Sequence, residues 1–167
     1  LMLLEFFELR MVQTDPNFSN YQYRQDTGQI VLLDFGATRR FKASFVKDYK
    51  RLARAAITGD KAKVVAACER LGYSMGEADS DYQNMVLQFL DLALEPLRLD
   101  IDYDFAHSDM AHNVSKLGGE VASFRDSWQV PPSAAVYFHR KVGGMFMLAS
   151  RLKARVNVYQ LMQRWLV

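Results

Sequence analysis

Residues 21–33, YQYRQDTGQIVLL, are the one stretch of this sequence that reads convincingly as β structure, and the chain after Gly36 carries a helical period instead. Tyr21-Gln22-Tyr23-Arg24 alternates as a strand does, Gln25-Asp26-Thr27-Gly28-Gln29 has turn chemistry, and Ile30-Val31-Leu32-Leu33 reads as a short buried strand. Together they predict a β-hairpin. The expected fold is therefore mainly α with one β-hairpin.

The helices follow from apolar spacing. Met2, Leu3, Phe6, Phe7 and Leu9 predict an opening helix over residues 2–12, ending near Gln13 because Pro16 and Asn17 stop any continuation. Phe45, Tyr49, Leu52, Ala53 and Ala56 form one stripe of a helix over 42–57, and Asp60 is placed to cap the next, which runs to Leu71. Gly72 and Gly76 bracket a loop. The segment 82–97 is apolar around most of its circumference and is expected in the centre of the core, with Pro96 near its end. Residues 101–105 read as acidic and irregular, followed by a helix over 108–117. Pro131-Pro132 should open a long helix over 133–154, where a proline at the first turn costs least, and 158–166 closes the chain as an amphipathic helix.

Composition bounds what such a fold can do. With 167 residues, half of them apolar, the chain is long enough to bury a core as one domain. A balance of 21 basic against 19 acidic side chains gives nucleic acid no electrostatic footprint, so none is expected as a partner. Cys68 is the one cysteine and falls on a buried helical position, which predicts a reducing compartment. The opening LMLLEFFELRMV is interrupted by Glu5, Glu8 and Arg10 and reads as a helix, not a targeting segment. No run approaches the ~18 apolar residues that a membrane span needs. The start at Leu1, without an initiator methionine, predicts the interior of a longer protein.

The chemistry gathers before Gly36. A hairpin brings its two ends side by side, so Asn20 at its start and Asp34 at its end become neighbours, and Asp15 joins them from the preceding loop. Two carboxylates and an amide oxygen are the hard-oxygen set that Mg²⁺ prefers when nucleotide phosphates complete its octahedron. The repulsion between Asp15 and Asp34 is relieved by such a cation. In this reading Asn20 and Asp34 hold the metal, while Asp15 orients or deprotonates the hydroxyl or water that attacks the γ-phosphate of ATP.

Asp15-Pro16-Asn17-Phe18-Ser19-Asn20, followed after the hairpin by Asp34-Phe35-Gly36, resembles the catalytic and metal-binding loops of protein kinase-like enzymes. The longer wording QTDPNFSN with LLDFGATR, and FHRKVGGMF over 138–146, resembles the UbiB/AarF family of atypical kinases and its coenzyme Q kinase branch. That resemblance implies a kinase-like C-terminal lobe over 1–167, with helix, catalytic loop, hairpin and D-F-G in 1–36 and a helical subdomain in 37–167. It also implies an ATP- and Mg²⁺-dependent kinase or ATPase supporting ubiquinone biosynthesis. The setting would be cytoplasmic, at a membrane surface, or the mitochondrial matrix side in a eukaryote. The acceptor would be a small molecule or water.

The departures are as specific as the matches. The lysine or arginine that ordinary kinases place two or four residues after the acid is replaced by Asn17 and Ser19, and the His-Arg before it by Gln13-Thr14. No A-P-E word follows Gly36. No K-x-G-Q word, glycine- or alanine-rich nucleotide loop, or strand lysine with partner glutamate occurs, so no residue here is assigned to adenine, and the N-terminal nucleotide-binding lobe is absent from this sequence. By itself the chain is expected to be inactive and, with Phe18, Tyr21 and Phe35 uncovered, to self-associate.

Two other readings remain open. A small-molecule phosphotransferase of the aminoglycoside or choline kinase type shares the acid-loop-asparagine layout. A catalytically silent scaffold binding partners or lipid would need none of Asp15, Asn20 and Asp34. Lys47, Lys50, Arg51 and Arg54 are read as a solvated face in preference to a membrane contact. His139-Arg140-Lys141 is read as a core-touching histidine with two solvated cations in preference to a phosphate site. Gly143-Gly144 is taken as a place of close helix packing, and Gly36 reads equally as a strand-end turn or as a residue that gives the loop mobility.

Overall fold

The opening segment folds as helix α1, α-helical over Met2–Leu4 and π-helical over Glu5–Leu9, in a computed structural model that describes residues 1–77, 80–123 and 131–166. It stops short of the expected Gln13. Arg10 turns left-handed at φ 53°, and the chain continues as strand β1, Met11–Gln13, with Val12 fully buried and Met11 exposed. Tertiary pairing overrides the helical pattern here: β1 lies antiparallel to β4, Thr38–Arg40, with Val12 opposite Arg39.

Between β1 and β4 runs the predicted hairpin, β2 at Tyr21–Arg24 and β3 at Gln29–Leu32, paired Tyr21 to Leu32 and Tyr23 to Ile30 around Gly28 at φ 68°. Its second strand is not buried as expected. Ile30 is 61% exposed, with none of the described elements layered over that face. The β1–β4 ladder below it brings the two ends of the whole acid-bearing segment together.

Helix α2, Ala43–Thr58, buries Tyr49, Leu52, Ala53 and Ala56 as predicted, together with Val46 and Ala55. Its last turn ends on Gly59 at φ 68°, and the Asp60 carboxylate accepts the Lys63 N–H at 3.0 Å to cap α3, Lys61–Leu71. Helix α4, Asp81–Ala93, is half-buried along most of its length and not central, with only Tyr82 and Gln83 classed as buried. Pro96 does not end it. A break at Leu94 starts the short helix α5, Glu95–Arg98, with the proline in its first turn.

Residues 101–105 are not irregular throughout: β5, Tyr103–Asp104, pairs with β6, Arg155–Val156. The helix between them and the prolines, α6, spans Met110–Ser123. Helix α7, Ser133–Arg151, ends three residues before the expected boundary so that β6 can form, and α8, Val158–Leu166, matches its predicted span. Among the described residues the fold is thus mainly helical with three antiparallel strand pairs, one more hairpin-like than the others, in place of a single hairpin.

The core is an aromatic knot. Phe6 is fully buried, stacks on Phe138 at 3.9 Å between ring centroids, and meets Phe41 and Tyr49 edge-on, each at 5.5 Å. The knot joins α1, α2 and α7 directly beneath β1. No described helix is long and apolar enough to cross a membrane.

Candidate active site

The acid loop is clasped from both ends. Gln13, 6% exposed at the end of β1, accepts the Asp15 N–H on Oε1 at 2.8 Å and donates through Nε2 to the Asp34 carbonyl. Thr14 follows with its hydroxyl on the Ala37 carbonyl at 2.8 Å and its N–H on the same oxygen at 3.2 Å. The pair that replaces His-Arg therefore ties the Asp15 loop to the D-F-G loop, one bridging glutamine holding the backbone of both acids.

Asn20 ends a turn of 3₁₀ helix, Phe18–Asn20, whose start is capped by Asn17. Its amide is buried to 8% and donates through Nδ2 to Asp15 Oδ2 at 2.9 Å. The Leu33 N–H bonds the Asn20 carbonyl at 2.8 Å, which sets Asp34 one residue beyond the strand pairing. The structure thus brings Asp15 and Asn20 into contact and places the Asp34 backbone beside them. The Asp34 carboxylate is exposed and turned onto its own loop, where Oδ1 accepts the Gly36 N–H at 2.8 Å. The left-handed residue of D-F-G is Asp34, at φ 56°, and not Gly36; aspartate is among the few side chains that visit this region readily.

Helix α7 supplies what the sequence reading assigned elsewhere. Arg140 extends from it to within 3.4 Å of Asp15 Oδ1, remaining 58% exposed. Lys141 is not solvated: it is 1% exposed, donates to the Tyr21 hydroxyl at 2.6 Å and lies 3.4 Å from Glu5. The signal was present in the sequence, because Lys141 falls three residues after Phe138 and three before Gly144, on the buried stripe. Gly144 is the close-packing glycine, since a Cβ there would stand 2.1 Å from Pro16 Cβ, whereas Gly143 faces open space. Arg151 lies 5.7 Å over the Phe18 ring, and Arg39 of β4 lies 4.2 Å over Tyr137. One helix therefore touches the acid loop, the hairpin and the strand after D-F-G.

His139 meets the hydroxyls of Tyr49 and Tyr73 at 2.8 and 2.9 Å through Nε2. Burial of that edge holds its pKa down at about 4, although the residue as a whole is exposed, and pushes Tyr73 up to about 12. Cys68 beneath them is buried, with its thiol raised to about 12, an inert setting. The α2 cations are not simply solvated: Arg54 caps α8 through the Leu166 carbonyl and Lys50 lies 5.9 Å over Phe7. A cleft of about 670 Å³ between α2, α4 and α6, lined by Ala56, Leu87, Leu90 and Leu117, includes none of the candidate site residues.

The donor set fits a hard divalent cation. Asn20 spends its N–H₂ on Asp15, leaving the Oδ1 acceptor for a metal, and Asp34 retains Oδ2. Among the described residues no group of three or more His, Cys, Asp or Glu side chains clusters as a metal site.

Comparison with known proteins shows what the chain is similar to. Residues 1–68 match the ABC1 atypical kinase-like domain. The chain is 31% identical over 163 residues to the atypical kinase COQ8B, mitochondrial, of Rattus norvegicus, covering 98% of this chain and 30% of that protein. It is 34% identical over 163 residues to the atypical kinase COQ8, mitochondrial, of Saccharomyces cerevisiae, covering 96% of this chain and 32% of the relative. With the probable serine/threonine-protein kinase abkA of Dictyostelium discoideum it shares 26% identity over 94% of this chain and 29% of that one. The chain spans about a third of the length of these relatives. The acid loop and D-F-G lie within the matched residues 1–68, and the relatives extend the likeness through α7 and α8: over nearly its whole length the chain is similar to the ABC1, or UbiB-type, atypical kinases.

Proposed function

We propose that the protein containing this chain is an ATP- and Mg²⁺-dependent phosphoryl-transfer enzyme supporting ubiquinone biosynthesis, and that these residues form its kinase-like C-terminal lobe. The observation that carries the reading is the joint tether of the two acids: Gln13 holds the backbone of Asp15 and Asp34 at once, while Asn20 bonds the Asp15 carboxylate. A scaffold has no use for that arrangement.

In this reading Asn20 through Oδ1 and Asp34 through its carboxylate hold Mg²⁺, which supplies charge neutralisation of the ATP phosphates. Asp15 accepts or orients the proton of the attacking hydroxyl or water, its Oδ2 steadied by Asn20. Arg140 stands beside Asp15, where it answers the charge that Asn17 and Ser19 leave unmet in the loop. Adenine would be gripped by a second lobe closing over the exposed Ile30, Leu33 and Phe35. The setting of the named relatives supports a mitochondrial role in a eukaryote.

The test is Asp34→Asn in the full-length gene product. Loss of one anionic ligand at near-constant shape should cut Mg²⁺-dependent ATP turnover by about 100-fold or more while the circular dichroism spectrum is kept. Turnover equal to that of the unaltered protein would overturn the assignment.

A further inference from the structure

A lysine that is 1% exposed is costly to bury, and Lys141 is held where neither the core nor the phosphoryl-transfer reading requires it. Among the described residues its charge is paired with one carboxylate, Glu5, whose Oε2 is buried, makes no hydrogen bond and lies 3.4 Å away. Its one short hydrogen bond goes to the Tyr21 hydroxyl at 2.6 Å, with the ammonium 5.2 Å from the same ring's centroid. Glu5 opens the π-helical turn of α1, a rare irregularity that is frequent at functional sites. Three elements far apart in sequence, α1, β2 and α7, are thus joined at one buried nitrogen.

The position of Tyr21 gives that nitrogen its consequence. Tyr21 follows Asn20 directly and is the first residue of β2, so fixing its ring fixes the direction in which the chain leaves the 3₁₀ turn. On the other side of the turn, Pro16 is seated on Gly144 and Phe18 under Arg151, both also of α7. The same helix therefore holds the loop at Pro16, Phe18 and Tyr21, and the Asn20 amide lies between the last two. A partner that aims a metal ligand acts through orientation and not contact.

We propose that Lys141 is a positioning residue for the candidate metal site: paired with Glu5, it anchors Tyr21 and thereby aims the Asn20 amide at the cation. This rests on the reading of Asn20 and Asp34 as metal ligands. Removing the anchor loosens the amide without deleting any ligand, so metal affinity falls while the donor set stays complete.

The test titrates Mn²⁺ into the full-length gene product and reads the free ion by its paramagnetic resonance. Tyr21→Phe keeps the ring and its packing and removes the hydroxyl; Lys141→Met removes the charge. Each should raise the Mn²⁺ dissociation constant about 10-fold, the lower end for partners outside the ligand shell, and the double variant should add little to either. Leu71→Ala, in the core and away from the loop, should lower the melting temperature and leave the constant unchanged. If Lys141→Met fails to fold, Tyr21→Phe decides alone. An unchanged constant in Tyr21→Phe, beside a weakened one in Asp34→Asn, overturns this inference and leaves the proposed function standing; an unchanged constant in Asp34→Asn removes the metal assignment itself.

Discussion

The aromatic knot and the acid loop lie on the same helix, α7, and are held by different forces. At the knot, Phe138 is buried among Phe6, Phe41 and Tyr49, and stability comes from apolar area taken out of water and from edge-on ring contacts. At the loop, the contacts are single polar bonds and one glycine gap: Lys141 to Tyr21, Arg140 to Asp15, Gly144 against Pro16. The knot tolerates small shifts because many atoms share the load. The loop does not, because each tether fixes one direction, and direction is what a metal ligand needs.

This difference predicts how variants divide. Phe138→Ala should have the largest effect on stability, about 3–5 kcal/mol, because it empties the centre of the knot. Urea unfolding measures it, and a loss below about 1 kcal/mol would mean that the rings are not the main support. Gly144→Val should come next, at about 1–3 kcal/mol, by driving a branched side chain into Pro16. Its neighbour sharpens the comparison. Gly143 faces open space, so Gly143→Ala should stabilise α7 by about 0.5–1 kcal/mol through helix propensity. Equal effects at both glycines would break the claim that the loop is seated on one of them.

The smallest expected effect is that of pH on the rim of the knot. Burial lowers His139 to about 4 from an ordinary value of about 6.5. The unfolded chain therefore binds more protons between those values, so this contribution is present above about pH 6.5 and is lost as pH falls toward about 4. His139→Gln should flatten the fall in melting temperature between pH 7 and pH 5 by a modest amount, since much of the ring meets solvent. An identical slope in both proteins would show that folding does not lower the pKa of this imidazole.

What was legible in the sequence follows the same division. Elements whose signals are local were readable: the Asp60-capped α3, the stripe of α2, the hairpin turn at Gly28 and the span of α8 all match. Elements made by distant pairing were not. The ladders of β1 with β4 and β5 with β6 are two or three residues long, and nothing within Met11–Gln13 announces a partner at Thr38–Arg40. The helical spacing of 2–12 pointed past Arg10 for the same reason. At the site, the contact between Asp15 and Asn20 could be read from their order before the hairpin, whereas the turn of the Asp34 carboxylate onto Gly36 could not. Gln13 could be read only as a substitution, because its role depends on where the Asp34 carbonyl falls. Lys141 was misread because a lysine beside histidine and arginine looks solvated, although its place on the apolar stripe says otherwise.

The central claim is that Asn20 and Asp34 hold one cation beside Asp15, with one Asp34 carboxylate oxygen bonded here to Gly36. A crystal of the full-length gene product with Mn²⁺ and a non-hydrolysable ATP analogue, measured at the manganese absorption edge, tests it most directly. The account predicts one anomalous peak about 2–2.3 Å from Asn20 Oδ1 and from an Asp34 carboxylate oxygen, with Asp15 outside that shell and facing the γ-phosphate. A peak held by other residues, or a peak with neither Asp34 carboxylate oxygen in its shell while the nucleotide is in place, would contradict it.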